Sequence, residues 1–253
     1  MRWVRRVPWL INLVALALVG CQQASTPSPT PTPQPVGVTP LYLDWISESL
    51  SEYREDNPED RFRLDIYTGN IGLDALQAGE IDLLIGALEV PESLFATPLF
   101  KDGIAVIHHP DLEIRDLTIE QLRRIFAGAE QNWNAFGDAD LPIYPVIPLP
   151  GDDLRTSFQK QVMDTFQFSS LARLQASPEQ IIKLVSDDPG AIGFIPFSQL
   201  VEDITAFRVE GQTITLRSID NGRYPLTFWV VAIGLDEPEG ALRSWLSWVQ
   251  VKD

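Results

Sequence analysis

VGVTPLYLDWISESLSEYREDNPEDRFRLDIYTGNIGLDALQAGEIDLLIGA, residues 36–87, decides the fold class. Val36-Gly37-Val38 reads as a short strand. Thr39 then stands as an N-cap with Pro40 at the first helical position, where a missing N–H costs nothing. Leu43, Ile46, Leu50 and Tyr53 follow at helical spacing. Arg63–Tyr67 is the next strand, Thr68-Gly69-Asn70-Ile71-Gly72 turns into a short helix ending near Gly79, and Ile81–Ala87 is a buried strand. Strands alternating with capped helices predict an α/β architecture.

The alternation continues outward from this block. Gly103–His108 is a further strand. Leu117-Thr118-Ile119-Glu120-Gln121-Leu122 holds a capping box, Thr118 to Gln121, and a staple between Leu117 and Leu122. Ile119, Leu122, Ile125 and Phe126 form the inward face until Gly128 stops the helix. Ile143–Ile147 predicts a strand and Gly151-Asp152-Asp153 the start of a helix. Ser177-Pro178-Glu179-Gln180 repeats the capping logic ahead of Ile181, Leu184 and Val185. Ala191–Ile195 and Leu226–Ile233 are apolar strands, and Leu242, Trp245, Leu246 and Val249 line a closing helix. No internal repeat of 20 to 50 residues is evident.

The first 35 residues read differently. Arg2, Arg5 and Arg6 precede an apolar run from Val7 to Val19, the pattern of a secretory leader spanning residues 1–20. It ends Leu18-Val19-Gly20-Cys21, which resembles the lipobox of bacterial lipoproteins. That resemblance implies cleavage before Cys21, acylation of its thiol and attachment to a membrane through the lipid. Residues 21–35 continue as a Pro/Ser/Thr-rich linker. Extended at ~3.1 Å per residue, it would reach roughly 40 Å from the bilayer.

Composition narrows the function. The 253 residues carry a formal charge of −16, and loss of the three leader arginines makes the remainder more acidic still. Such a surface opposes contact with nucleic-acid phosphates and anionic lipid head groups. Cys21 is the single cysteine, so no intramolecular disulfide forms. His108 and His109 are adjacent in a strand, hence on opposite faces, and cannot share one metal; no metal site or cofactor is expected. Asp152-Asp153 and Asp187-Asp188 could do acid/base work, but adjacent acids at helix starts and turns usually complement the helix dipole. Trp45, Trp229, Trp245 and Trp248 sit at core-like spacing. No enzyme is predicted. What remains are polar strand-to-helix junctions, Thr39, Thr68-Gly69-Asn70 and Gly151-Asp152, natural positions for binding a small anion.

From Val36 onward the order of motifs resembles the phosphate-binding proteins of ABC importers. The motifs are Asp102–Ile107 as a crossing strand, LTIEQLRRIFAGAEQNW from Leu117 to Trp133, PGAIGFIPFSQL from Pro189 to Leu200, Tyr224-Pro225-Leu226 as the return crossing, and Glu237-Pro238-Glu239-Gly240-Ala241. The resemblance implies a periplasmic-binding-protein fold of two lobes, each a mixed sheet flanked by helices, joined by two hinge crossings. Lobe I would comprise 36–107 plus 224–253, and lobe II 108–223. It implies a monomeric, extracytoplasmic protein that holds phosphate or another small solute and presents it to an ABC permease. A sensor or interaction module on the same fold is the alternative.

Residue by residue, Thr39 falls near the family's first hydroxyl loop and Thr68, Gly69 and Asn70 in its second. Ala87 lies where the family has a polar or acidic ligand residue. The family's arginine followed by Gly-Ser-Gly-Thr meets Pro148 and Gly151-Asp152-Asp153-Leu154, with Arg155 fitting a later arginine. The guanidinium fork and hydroxyls are replaced by two carboxylates. Two like charges about 4 Å apart repel by roughly 4 kcal/mol at an effective dielectric of about 20. The sequence therefore predicts a retained scaffold with altered or weakened phosphate chemistry, its ligand residues being Thr39, Thr68, Gly69, Asn70, Gly151, Asp152 and Asp153.

Overall fold

The computed structural model of the chain describes residues 32–252. The leader 1–20, Cys21 and most of the linker lie outside the described residues. Linker and fold meet earlier than expected. Strand β1 spans Gln34–Val38, so Gln34 and Pro35 already pair with Phe62 and Arg63. Pairing on the other side begins only at Val36, and Pro35 supplies that edge with its carbonyl, which accepts from Asp82 N at 2.8 Å.

β1 is flanked by two parallel strands, β2 (Phe62–Ile66) and β3 (Leu83–Gly86). Helix α1 (Leu43–Asp56) connects β1 to β2, and α2 (Gly69–Gln77) connects β2 to β3. Pro40–Tyr42 is a separate 3-10 turn, so Thr39 caps that turn instead of α1 itself. Ile46, Leu50 and Tyr53 are buried along α1, as their spacing requires. The strand expected over 81–87 is confined to β3.

β4 (Phe95–His108) is more than twice the length read from the sequence and changes partner midway. Phe95–Gly103 pairs antiparallel with β11 (Thr227–Gly234), whereas Ile104–His108 pairs antiparallel with β8 (Ala191–Pro196). Gly103 sits at the change because a Cβ there would press on Ile214 and Ile219 at 3.0 Å. Beyond β8 the sheet continues in parallel through β6 (Tyr144–Pro148) to β7 (Arg173–Gln175). Among the described residues the sheet order is β2-β1-β3-β11-β4-β8-β6-β7, with β9 (Thr205–Ala206) also on β4. A separate ribbon pairs β5 (Asp116–Leu117) with β10 (Arg208–Val209).

Helices α3 (Ile119–Phe126), α4 (Asp153–Phe158), α5 (Pro178–Asp187), α6 (Leu216–Asp220) and α7 (Gly240–Lys252) complete the mixed α/β architecture. The Thr118 box forms as read: Thr118 Oγ1 accepts from Gln121 N at 3.1 Å, and Gln121 Oε1 accepts from Thr118 N at 2.8 Å. The Ser177 box does not. Ser177 makes no side-chain cap, and Gln180 reaches past it to accept from Ala176 N.

Apolar burial is continuous. One large cluster runs through both halves of the sheet along β4, and a smaller one containing Leu76, Ile81 and Leu84 lies beneath α2. Phe158 and Phe194 stack at 4.0 Å with Phe126 edge-on to Phe158 at 4.8 Å. Trp245 is fully buried in this core, but Trp229 is 52% exposed, contrary to its core-like spacing, because its position on β11 faces outward. His108 is buried and stacked on Phe207; burial pushes its imidazole down to about 4, so it is neutral at physiological pH.

Candidate functional site

Strands β1, β2 and β3 run parallel, so their carboxyl ends open on one edge of the sheet, where ligands of open α/β sheets bind. Two of the expected segments and the end of β3 therefore converge there. Thr39 directly follows β1 and is fully buried, with its N–H bonded to Ile85 O at 2.9 Å. Gly69 begins α2 after β2, and Gly86-Ala87 ends β3.

The fourth component comes from the other half. β6 ends at Pro148, and the chain turns through Gly151, whose φ of +86° suits glycine, into α4. The two acids then separate by role. Asp152 is the N-cap, its Oδ1 accepting from Leu154 N at 2.9 Å and Arg155 N at 3.2 Å. Asp153 points across the edge of the sheet, where its Oδ2 accepts from Ala87 N at 3.0 Å. It is 3% exposed.

Asp153 lies flush against the first half. A Cβ built on Gly86 would be 2.6 Å from both Asp153 Oδ2 and Thr39 Oγ1, so only glycine allows this approach. A Cβ on Gly69 would lie 3.6 Å from Asp153 Oδ1. Thr39 Oγ1 is beside the carboxylate, buried and without a hydrogen-bond partner of normal geometry. Burial pushes the Asp153 carboxyl up to about 6; the Thr39 hydroxyl and Ala87 N–H oppose that rise, and the neighbouring Asp152 charge adds to it. Burial likewise raises Asp152, against the pull of its two capping N–H groups.

Of the expected ligand residues, Thr39, Gly69 and Asp153 come together. Thr68 faces Gly151, a Cβ on the latter lying 3.8 Å from Thr68 Cβ. Asn70 is exposed on the first turn of α2. The two carboxylates take different partners, Asp152 its own helix N–H groups and Asp153 the Ala87 N–H, although the Asp152 charge still acts on Asp153. Arg155 does not neutralise Asp153, because its Nη1 donates to Pro148 O at 2.8 Å and its guanidinium lies over Phe168 at 4.9 Å. Sequence reasoning placed Ala87 at a ligand position of the family but gave it no role; its contribution is a backbone N–H, which no side-chain comparison could reveal.

Beside this seat a cleft of about 590 Å³ opens between the Pro40–Glu48 segment and the start of α5. Pro40 and Asp152, chain neighbours of the two seat residues, line it. So do Tyr42, Trp45 and Phe100 on an aromatic side, and Asp44, Glu48 and Glu179, with no lysine or arginine among the lining residues. Asp102, buried on β4 one residue before the change of partner, braces one wall. Its carboxylate accepts from Ser198 Oγ at 2.6 Å, Gly103 N at 2.7 Å, Ser198 N at 3.2 Å and Tyr42 Oη at 3.2 Å. Gln199 Nε2 donates to Leu41 O at 3.0 Å, and Lys160 pairs with Glu89 at 2.5 Å, adding two further links between segments distant in sequence. Among the described residues no group of three or more His, Cys, Asp or Glu side chains could hold a metal ion.

The sheet is mixed α/β, its long strand β4 serves both halves, and the cleft lies beside the carboxyl ends of β1, β2 and β3. The chain belongs to the PBP superfamily: the family model described as "PBP superfamily domain" matches residues 38–252. It is 26% identical over 212 residues to the phosphate-binding protein PstS of Bacillus subtilis (strain 168), covering 80% of this chain and 70% of that protein. Its fold is similar to that of an ABC-type phosphate transport receptor from Vibrio cholerae, with a TM-score of 0.76, 20% identity and coverage of 87% of this chain and 97% of that one. PstS from Borrelia burgdorferi superposes with a TM-score of 0.66 at 17% identity, over 86% of this chain and 92% of that one.

Proposed function

We propose that the protein is the extracytoplasmic solute-binding component of an ABC importer, acylated at Cys21 and held to the membrane by the lipid. In this reading residues 36–107 with 224–253 form one lobe and 108–223 the other. They close over a small solute and present it to a permease as a monomer. The observation that carries the reading is the convergence of Thr39, Gly69 and the Ala87 N–H on one buried anion beside the cleft. Membership of the superfamily and similarity to phosphate-binding transport proteins support it. Those relatives are binding proteins, and no constellation here asks for catalysis instead.

The solute itself is not inherited with the fold. The seat has no cationic side chain in contact and already contains a carboxylate, so tight phosphate binding in the relatives' manner is not expected. A thermal-shift panel on the purified full chain tests the function: phosphate, other oxyanions, metal cations and amino acids. One class should raise Tm in proportion to the logarithm of its excess. Silence from every solute at concentrations up to about 10 mM would remove the solute-binding reading, since even a millimolar ligand stabilises measurably there.

A further inference from the structure

We propose that the Asp153 carboxylate is the resident occupant of the protein's own anion seat, filling from one half of the molecule the space that an external oxyanion would take in the other. The inference rests on the solute-binding reading and names the residue that sets its specificity.

Three observations lead there. First, Asp153 is bonded as a bound anion would be: its Oδ2 accepts from the backbone N–H of Ala87 and it packs on the glycines that end β3 and begin α2. An ordinary buried acid of a helix start would cap its own helix, and that task belongs to Asp152. Second, Thr39 presents a fully buried hydroxyl to the same place, beside the Asp153 carboxylate but outside normal hydrogen-bond geometry. A buried hydroxyl with only a poorly aligned acceptor is unfavourable, and a tetrahedral oxyanion with four oxygens would offer it a well-aligned one. Third, no cationic side chain is bonded to the Asp153 carboxylate to offset a second anion. Arg155 is turned to Pro148 O and Phe168, while Asp44, Glu48 and Glu179 face the adjoining cleft. An oxyanion approaching the wild-type seat must displace a carboxylate of like charge.

Shortening Asp153 should therefore open the seat. Titration calorimetry at pH 7.5 with inorganic phosphate, and separately with sulfate, would compare the full wild-type chain with Asp153→Ser, Asp153→Gly and the double variant Asp153→Ser/Thr39→Val. The expected result is at least tenfold tighter binding of one oxyanion by Asp153→Ser or Asp153→Gly than by wild type. That gain should disappear when Thr39→Val is added. The proposal is overturned if both single variants, folded by circular dichroism, bind neither oxyanion better than wild type. A gain that survives Thr39→Val overturns it as well, because binding would then lie elsewhere. So would micromolar phosphate binding by wild type with Asp153 in place. A wild-type response to another solute of the thermal-shift panel, together with silent Asp153 variants, would defeat this inference alone and leave the solute-binding reading standing.

Discussion

Asp153 is charged, buried and without a cation, and its ionisation works against the folded state. Its carboxyl titrates at about 6 in the fold, above the ordinary carboxylate range, because burial outweighs the two groups that favour the charge. The group's contribution to stability is therefore complete at low pH, below the unfolded value, and is lost as pH rises through about 6. The difference amounts to about 3 kcal/mol. Asp153→Asn keeps the shape and an acceptor for Ala87 N–H but has nothing to ionise. Urea unfolding across pH 4 to 7.5 should show the variant gaining on wild type over that window. Parallel profiles would mean that the carboxyl titrates normally. From sequence alone the two acids of Asp152-Asp153 were indistinguishable, since which one caps and which one reaches across depends on a one-residue choice of helix start. The position of Ala87 was legible but its part was not, for a different reason: a backbone N–H leaves no trace in residue type.

Among the elements, legibility followed how local the determining contacts are. The Thr118 box needs only four consecutive residues in helical geometry, and it formed as read. Ser177 has the same pattern, yet it makes no side-chain cap and Gln180 accepts from Ala176 N instead, a choice that the four-residue pattern does not determine. The reach of β4 could not be read, because its first half looks irregular until β11 is in place beside it. Asp102, next to the point where that strand changes partner, is costly to alter. It holds Ser198, Gly103 and Tyr42 together at 2% exposure, and burial raises its carboxyl despite the four donors. Asp102→Ala strands those donors away from water and should destabilise the fold by about 3 kcal/mol. Chemical denaturation measures it, and a loss below about 1 kcal/mol would show that water replaces the carboxylate.

At the scale of the molecule, the α/β class and the principal strands and helices were legible, because periodicity and capping are repeated along the chain; the short strands β5, β7, β9 and β10 and the five-residue helix α6 are too brief to show a period. The continuity of the core through both halves was not, nor was the way one half places a side chain into the other. Both are products of sheet closure around β4, which joins residues far apart in sequence. The measurement closest to the central claim follows the Ala87 amide by proton–nitrogen NMR in the full chain from pH 4.5 to 8. A seat occupied by Asp153 predicts a sigmoidal shift of that amide with a midpoint near 6, abolished in Asp153→Asn. An Ala87 resonance that stays flat, or that titrates identically in the variant, would contradict the account.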